Sequence, residues 1–444
     1  MHLLPIDRDI LRIAWPAIVT NITVPLLGLV DVAIVGHIGE ARHIGAIAIA
    51  TMVFNVIYWM FAFLRMGTSG LTAQAYGANE KRQCLRLLSQ AIVIALAVAA
   101  VLLLLQHPIR NALYALIAVT PAMEPLVDTY YHIAVWGIPA MLCLYSITGW
   151  FIGMQNTRAT MTISISQNII NILLSLLLVF AFHMDIAGVA LGTVLAQWGG
   201  LAIAIVLQRK GERDKSPQQR LLHADTLSES DTCHATPVRQ VFHTYLFIFL
   251  RTFFLVAVNL AFVAFGTSLG ELTLAVNTLL MQLFMLYSYI TDGFAYAGEA
   301  LSGKHLGARQ PLQLQQTVRR LFLWGCGVMT VFTLLYAVGA PHFLSLLTND
   351  DTVLQASHQY LPWIIAVPAA GMAAFVWDGI FIGTTRTAGM LLATAIAALF
   401  FFTLWYWLRD SWGNHALWMA FIAFLLGRGM VQTIAWNIHP NTIE

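Results

Sequence analysis

Apolar runs long enough to cross a bilayer recur at 11–36, 44–75, 85–106, 126–150, 160–183, 185–208, 241–266, 272–300, 317–340, 360–382, 387–408 and 413–437. A helix needs about 20 residues to cross the hydrocarbon core. These runs predict twelve helices, because barrel strands would be about nine to eleven residues long and would alternate apolar with polar positions. The segment from Gln208 to Gln240 departs from the pattern, being polar, mixed in charge and poor in aromatics. It reads as a cytoplasmic linker. The expected organisation is an N-terminal six-helix lobe (1–207), a linker (208–240) and a C-terminal six-helix lobe (241–444).

The two halves repeat each other. Tyr131-x7-Pro139-Ala140 recurs as Tyr360-x7-Pro368-Ala369 at an offset of 229. Phe151-Ile152-Gly153 recurs as Phe381-Ile382-Gly383, and Gly77-Ala78 as Gly307-Ala308, both at 230. Because each half has an even number of spans, the repeats share one orientation and relate through an axis along the membrane normal. The predicted fold is all-α and polytopic, with two pseudo-symmetric lobes of a transporter-like bundle.

Composition agrees with a membrane protein: 59% of residues are hydrophobic and 10% charged, against about 25% charged in soluble domains. The balance of 23 Lys and Arg against 21 Asp and Glu gives no basic field for nucleic acid, which excludes that partner. The four cysteines stand at least 59 positions apart, so no CxxC redox or zinc spacing exists. The N-terminus mixes charges of both signs and has no small-residue cleavage site, so no removable signal peptide is read. Of the 23 basic residues, 17 fall in the N-terminal tail, the even-numbered connections or the turns adjoining them, and 3 in the odd-numbered connections. Positive charge is retained on the cytoplasmic side. The split predicts a multi-pass protein of a bacterial inner membrane with both termini in the cytoplasm.

Apart from charged residues assigned to the turns and tails at the run ends, seven ionisable residues are read as intramembrane: Asp31, Arg65, Arg251, Asp292, Glu299, Asp378 and Arg428. Each costs about 2.5–3.5 kcal/mol at the bilayer centre on insertion scales and so needs a partner, a wet cavity or a function. For the arginines and Asp378, structural salt bridging between helices is an equal alternative. Asp31 shares a helical stripe with Asn21, Val24 and Gly28, on a helix that Pro16 and Pro25 make bendable. In the fifth span Ser164, Asn168, Asn171 and Ser175 draw a polar line down one face. If the two helices pack together, Asp31 meets amides and hydroxyls with no cation beside it except Arg65, an environment for a proton carrier. The eighth span carries Gln282, Met285, Tyr289, Asp292, Tyr296 and Glu299 on one face. Rings, a thioether and two carboxylates suit a cavity for an amphipathic or cationic compound. The alternative is a polar helix interface saturated by Arg251 and Arg428. No HExxH metal motif and no GxxxxGK[ST] phosphate loop occurs, so neither enzyme chemistry, metal nor cofactor is expected. Energy must come from an ion gradient or a partner.

The stretch from Asn21 through Pro25 and Asp31 to Gly36-His37-Ile38-Gly39, then Leu64-Arg65-Met66 and Gly70 to Ala78, resembles the multidrug and toxic compound extrusion (MATE) transporters, most of all their DinF branch. The likeness continues at Asp292-Gly-Phe-Ala-Tyr-Ala, Asp378-Gly-x-Phe-Ile-Gly383 and Asn414-His-Ala-Leu-Trp418, over nearly the whole chain. It implies a V-shaped, two-lobed antiporter that exports small organic compounds in exchange for protons or sodium. Asp31 matches the acid expected to bind the coupling ion, with Asn171 and Thr193 as hydrogen-bond partners and Asn168 and Ser175 on the same polar line. Many members carry a second carboxylate where this chain has Ser175. A single carboxylate among amides favours H+ over Na+. Candidates for substrate contact or gating are Arg65, Tyr289, Asp292, Tyr296, Glu299 and Asp378, with Pro16 and Pro25 as the hinge. The expected partners are the substrate and the lipid bilayer, with the chain working as a monomer. The alternative function is a lipid-linked precursor flippase of related fold. It would call for an excess of cavity cations, whereas the spans hold three Arg against four acids.

Overall fold

Lipid offers the backbone no hydrogen-bond partners, so an apolar run must satisfy its own N–H and C=O groups by coiling into a helix. In the computed structural model, which describes residues 4–36, 41–117, 123–213, 238–348 and 350–438, this is what the runs do. The first is α1 (Pro5–Gly36). The second divides into α2 (Ala41–Phe61) and α3 (Phe63–Gly77) around Ala62, whose N–H bonds Trp59 O at 3.3 Å in a tighter turn. There follow α4 (Lys81–Leu104) and the short α5 (Gln106–Ile117). The fourth span consists of α6 (Glu124–Ala134) and α7 (Ile138–Gly153), joined by a 3-10 turn just before Pro139. The N-terminal lobe ends with α8 (Thr157–Leu176), which closes in a π turn over Leu177–Ala181, and α9 (Asp185–Arg213).

The C-terminal lobe has α10 (Val238–Ser268), α11 (Glu271–Gly307), α12 (Pro311–Leu347), α13 (Asp351–His358), α14 (Leu361–Gly383), α15 (Thr387–Trp412) and α16 (Asn414–Ile438). Among the described residues eleven helical segments are long and apolar enough to cross a membrane. With α1, which carries the first run, they account for all twelve predicted spans. Linker residues 214–237 lie outside the described residues.

The repeat inferred from matched residues is physical. A methyl group added at Gly77 would overlap the Lys304 carbonyl, and one at Gly307 would overlap the Gln74 carbonyl. The partners are related by the same 230-residue offset as the glycines. α3 and α11 therefore cross at backbone contact around a pseudo-two-fold axis. Within each lobe the correspondence persists: Gly149 abuts the Arg65 carbonyl as Gly379 abuts that of Ala295. Even the left-handed turn residues pair, Asn79 with Arg309 and Gln155 with Thr385.

This crossing closes one end of the molecule. Gln74 Nε2 donates to Gly383 O at 2.9 Å and Gln155 Nε2 to Ala300 O at 2.7 Å, both across the lobe boundary. At the same end the buried carboxylate of Asp7 on α1 accepts from Arg320 and from Trp324 Nε1 of α12. The hydrogen bond from Arg320 is the largest influence holding the Asp7 carboxyl below the usual aspartate range. This bridge is complete above about pH 4 and is lost only as pH falls through the lowered value.

One apolar core runs through the N-terminal lobe and over the crossing, where it includes Phe294, Ile380 and Phe381. A second lies wholly in the C-terminal lobe around Phe262, Trp418 and Phe421. The Asn414-x3-Trp418 motif ties that core together: Asn414 and Asn277 bond each other, and Trp418 Nε1 donates to Asn277 Oδ1 at 2.9 Å.

Candidate substrate cavity and coupling site

Between the lobes lies a cavity of about 520 Å³, lined by side chains of both halves, among them Asn21, Asn55, Asn259, Asp292 and Glu299. A second space of about 390 Å³ shares Asn55, Trp59, Asn259 and Met285 with it and continues toward the opposite end. α11 supplies the C-lobe wall with Met285, Ser288, Asp292, Ala295, Tyr296 and Glu299, steps that keep one helical face inward.

Tyr289 is a correction to the predicted face. It is not among the lining residues, and its carbonyl accepts from Asn21 Nδ2 of α1 at 3.1 Å. One residue is about 100° of helix turn. The inward position between Met285 and Asp292 thus belongs to Ser288, and the Tyr289 backbone stands beside α1.

The charged groups sort into two clusters. Arg65 of α3 reaches across the lobes, with Nη1 3.2 Å from Glu299 Oε2 and its guanidinium carbon 4.2 Å above the Tyr296 ring. In the C-terminal lobe Asp378 of α14 accepts from Arg251 of α10 and Arg428 of α16 on one oxygen, and from Gln432 Nε2 at 2.7 Å on the other. Arg251 and Arg428 therefore saturate Asp378, not the acids of the eighth span, and Asp378 acts first as the tie between three helices. Asp292 lines the cavity and has no hydrogen bond or ion pair among the described residues.

Among the N-lobe candidates, the described ones lie on α1, α8 and α9. α8 packs on α1, and Asn168 Nδ2 donates to Thr23 O at 3.3 Å. Asn171 Nδ2 donates to Thr193 Oγ1 at 3.0 Å, and Thr193 in turn to Val189 O at 3.0 Å. Two oxygens of this line, Asn171 Oδ1 and Ser175 Oγ, are buried with no hydrogen-bond partner among the described residues. A buried oxygen left unpaired costs about 1–3 kcal/mol, so the line is poised to accept a donor. Asp31 and Pro25 belong to α1, but their side chains lie outside the described residues. Pro16 is buried on α1, and its carbonyl accepts from Thr20 Oγ1 at 2.9 Å. Arg65, the one cation foreseen near Asp31, is committed to Glu299.

Sequence reasoning missed the α2 contribution. Asn55, Tyr58 and Trp59 line the cavity, and Tyr58 is held by Gln197 Nε2 at 3.2 Å. Their spacing of three and four on one helix, within an otherwise apolar run, was a usable signal.

Twelve spans in two repeated lobes around a central cavity define the class: a polytopic membrane transporter. A sequence model of the MatE family matches residues 16–177 and again 248–407, once in each lobe. DNA damage-inducible protein F of Escherichia coli K12 is 34% identical over 435 residues, 98% of this chain and 92% of that protein. A probable multidrug resistance protein NorM of Acinetobacter baylyi is 22% identical over 395 residues, 88% of this chain and 86% of that one. The crystal structure of the Vibrio cholerae MATE transporter VcmN in the bent form matches with a TM-score of 0.84 at 17% identity, over 99% of this chain and 98% of that one. The chain belongs to the MATE family of multidrug and toxic compound efflux transporters.

Proposed function

We propose that the protein exports amphipathic or cationic organic compounds across a bacterial inner membrane in exchange for protons, with sodium as the second choice of ion, and that it works as a monomer. The observation that carries this reading is the cavity itself. It is closed at one end, walled by apolar and aromatic side chains such as Met285, Tyr296, Phe421 and Phe424, and it presents one carboxylate, Asp292, with no ion partner among the described residues. A hydrophobic wall with a single exposed charge holds a greasy cation without dictating its shape. The charge split between connections supports cytoplasmic termini. In that orientation the glycine crossing is the cytoplasmic seal, and the cavity opens outward.

Coupling is assigned to Asp31 together with Asn168, Asn171, Thr193 and Ser175, the last four of which do not line the cavity. The unsatisfied Asn171 Oδ1 and Ser175 Oγ suit a protonated carboxyl, which donates as well as accepts. Pro16 and Pro25 provide the hinge through which that protonation bends α1. A flippase reading finds no support, because each arginine lining the cavity is engaged by an acid and none is free for a polyanionic head group.

Liposomes containing the full chain test this directly. Ethidium transport should follow an imposed proton gradient, and a sodium gradient alone should drive less than about a tenth as much. Transport driven by sodium and indifferent to the proton gradient would reassign the ion. Within the same assay, Asp292→Asn should weaken cationic substrates by about 5- to 30-fold while sparing neutral ones, the scale of one lost charge contact in a partly dry site. An unchanged profile over several compounds would leave Asp292 with a structural role only.

A further inference from the structure

Arg65 belongs to the N-terminal lobe by sequence, yet its guanidinium pairs with side chains of the C-terminal lobe across the cavity. It projects from α3 to stand 4.2 Å above the Tyr296 ring and 3.2 Å from Glu299 Oε2, both on α11. Asp292 lies one helical turn before Tyr296, facing the same cavity and without an ion partner among the described residues. An aromatic face flanked by carboxylates at one-turn spacing is the chemistry by which a planar organic cation is recognised. Here that cage already holds a planar cation, supplied by the protein.

We propose that Arg65 is a built-in occupant of the cation subsite formed by Tyr296, Glu299 and Asp292, and that a planar cationic substrate binds by displacing it. The ligand's charge takes over the Tyr296 face and the carboxylates, and Arg65 is released toward the N-terminal lobe. Among the described residues Arg65 to Glu299 is the one ion pair joining the lobes inside the cavity. Substrate entry therefore breaks a bond between the lobes at the moment of binding. Neutral compounds, which have nothing to exchange for the guanidinium, leave it in place. The inference rests on the cation-export reading and deepens it, because it states how the substrate's charge is read and what its arrival changes.

The test measures ethidium binding to the purified full chain in lipid nanodiscs by fluorescence anisotropy. Arg65→Met removes the competitor and should tighten ethidium binding about tenfold, and Arg65→Lys, which keeps the charge but loses the flat stacking surface, about threefold. Tyr296→Leu should weaken binding in either background. Tighter binding in either Arg65 variant supports displacement. Should the Met variant not fold, with Glu299 left unpaired, the Lys variant decides. Unchanged or weaker ethidium binding on loss of Arg65, in protein that still moves ethidium along a proton gradient, overturns the displacement and leaves the export reading standing. Absence of ethidium binding and transport in the wild-type protein overturns both.

Discussion

Replacing Asp31 by asparagine is expected to reduce proton-driven ethidium export to the level of protein-free liposomes, with protein yield and melting temperature unchanged. Asparagine matches the shape and the hydrogen-bonding reach of aspartate but cannot take up and give back a proton. A purely structural acid would tolerate that change, whereas a coupling acid would not. The neighbours should behave differently. Asn171→Ala and Ser175→Ala leave Asp31 in place while changing its surroundings, and each should shift the pH at which transport is half-maximal rather than eliminate transport. Transport retained in Asp31→Asn would remove this residue from the mechanism and send the search to Asp292, a cavity acid without an ion partner among the described residues.

The second large effect is on stability. Asp378→Asn should deplete folded protein, because it leaves Arg251 and Arg428 buried with their shared counter-charge gone. Removing one partner of a buried ion pair typically costs about 3–5 kcal/mol, a large part of the stability of any domain. The expected readouts are a melting temperature several degrees lower in detergent and a fall in membrane yield. Replacing all three residues together, with Asp378→Leu, Arg251→Met and Arg428→Met, should recover most of the loss, because it removes the charges along with their solvation cost. Normal stability of Asp378→Asn would mean that water reaches the cluster and that Asp378 faces substrate rather than holding α10, α14 and α16 together.

These two residues show what the sequence makes legible. Asp31 is visible because it interrupts an apolar run beside two prolines, and the α8 line is visible because four polar residues recur at helical spacing. Both are local patterns. The fate of Asp378 is not local: its partners stand 127 and 50 residues away, and nothing in the order of the chain says which acid will receive which arginine. The eighth-span stripe lies between these cases. Its face is readable, but a helix of 37 residues passes several neighbours, and a boundary of one residue decides whether Tyr289 or Ser288 meets the cavity. The α2 wall is harder to read, because aromatic residues inside a membrane span are ordinary packing in most helices and become a binding wall only where two lobes part.

The matched segments at offset 230 also say something about the chain's history. A duplicated half can drift freely wherever it faces lipid, since any apolar side chain serves there. At the crossing of α3 and α11 each copy is the mould for the other, and a single added methyl in either would strike a carbonyl of its twin. Gly77-Ala78 and Gly307-Ala308 lie at this contact, and Phe151-Ile152-Gly153 and Phe381-Ile382-Gly383 lie against the same two helices. At this contact a bulkier residue in one half is tolerated only if the other half gives way to it. The joint is a constraint on inheritance as much as a closure.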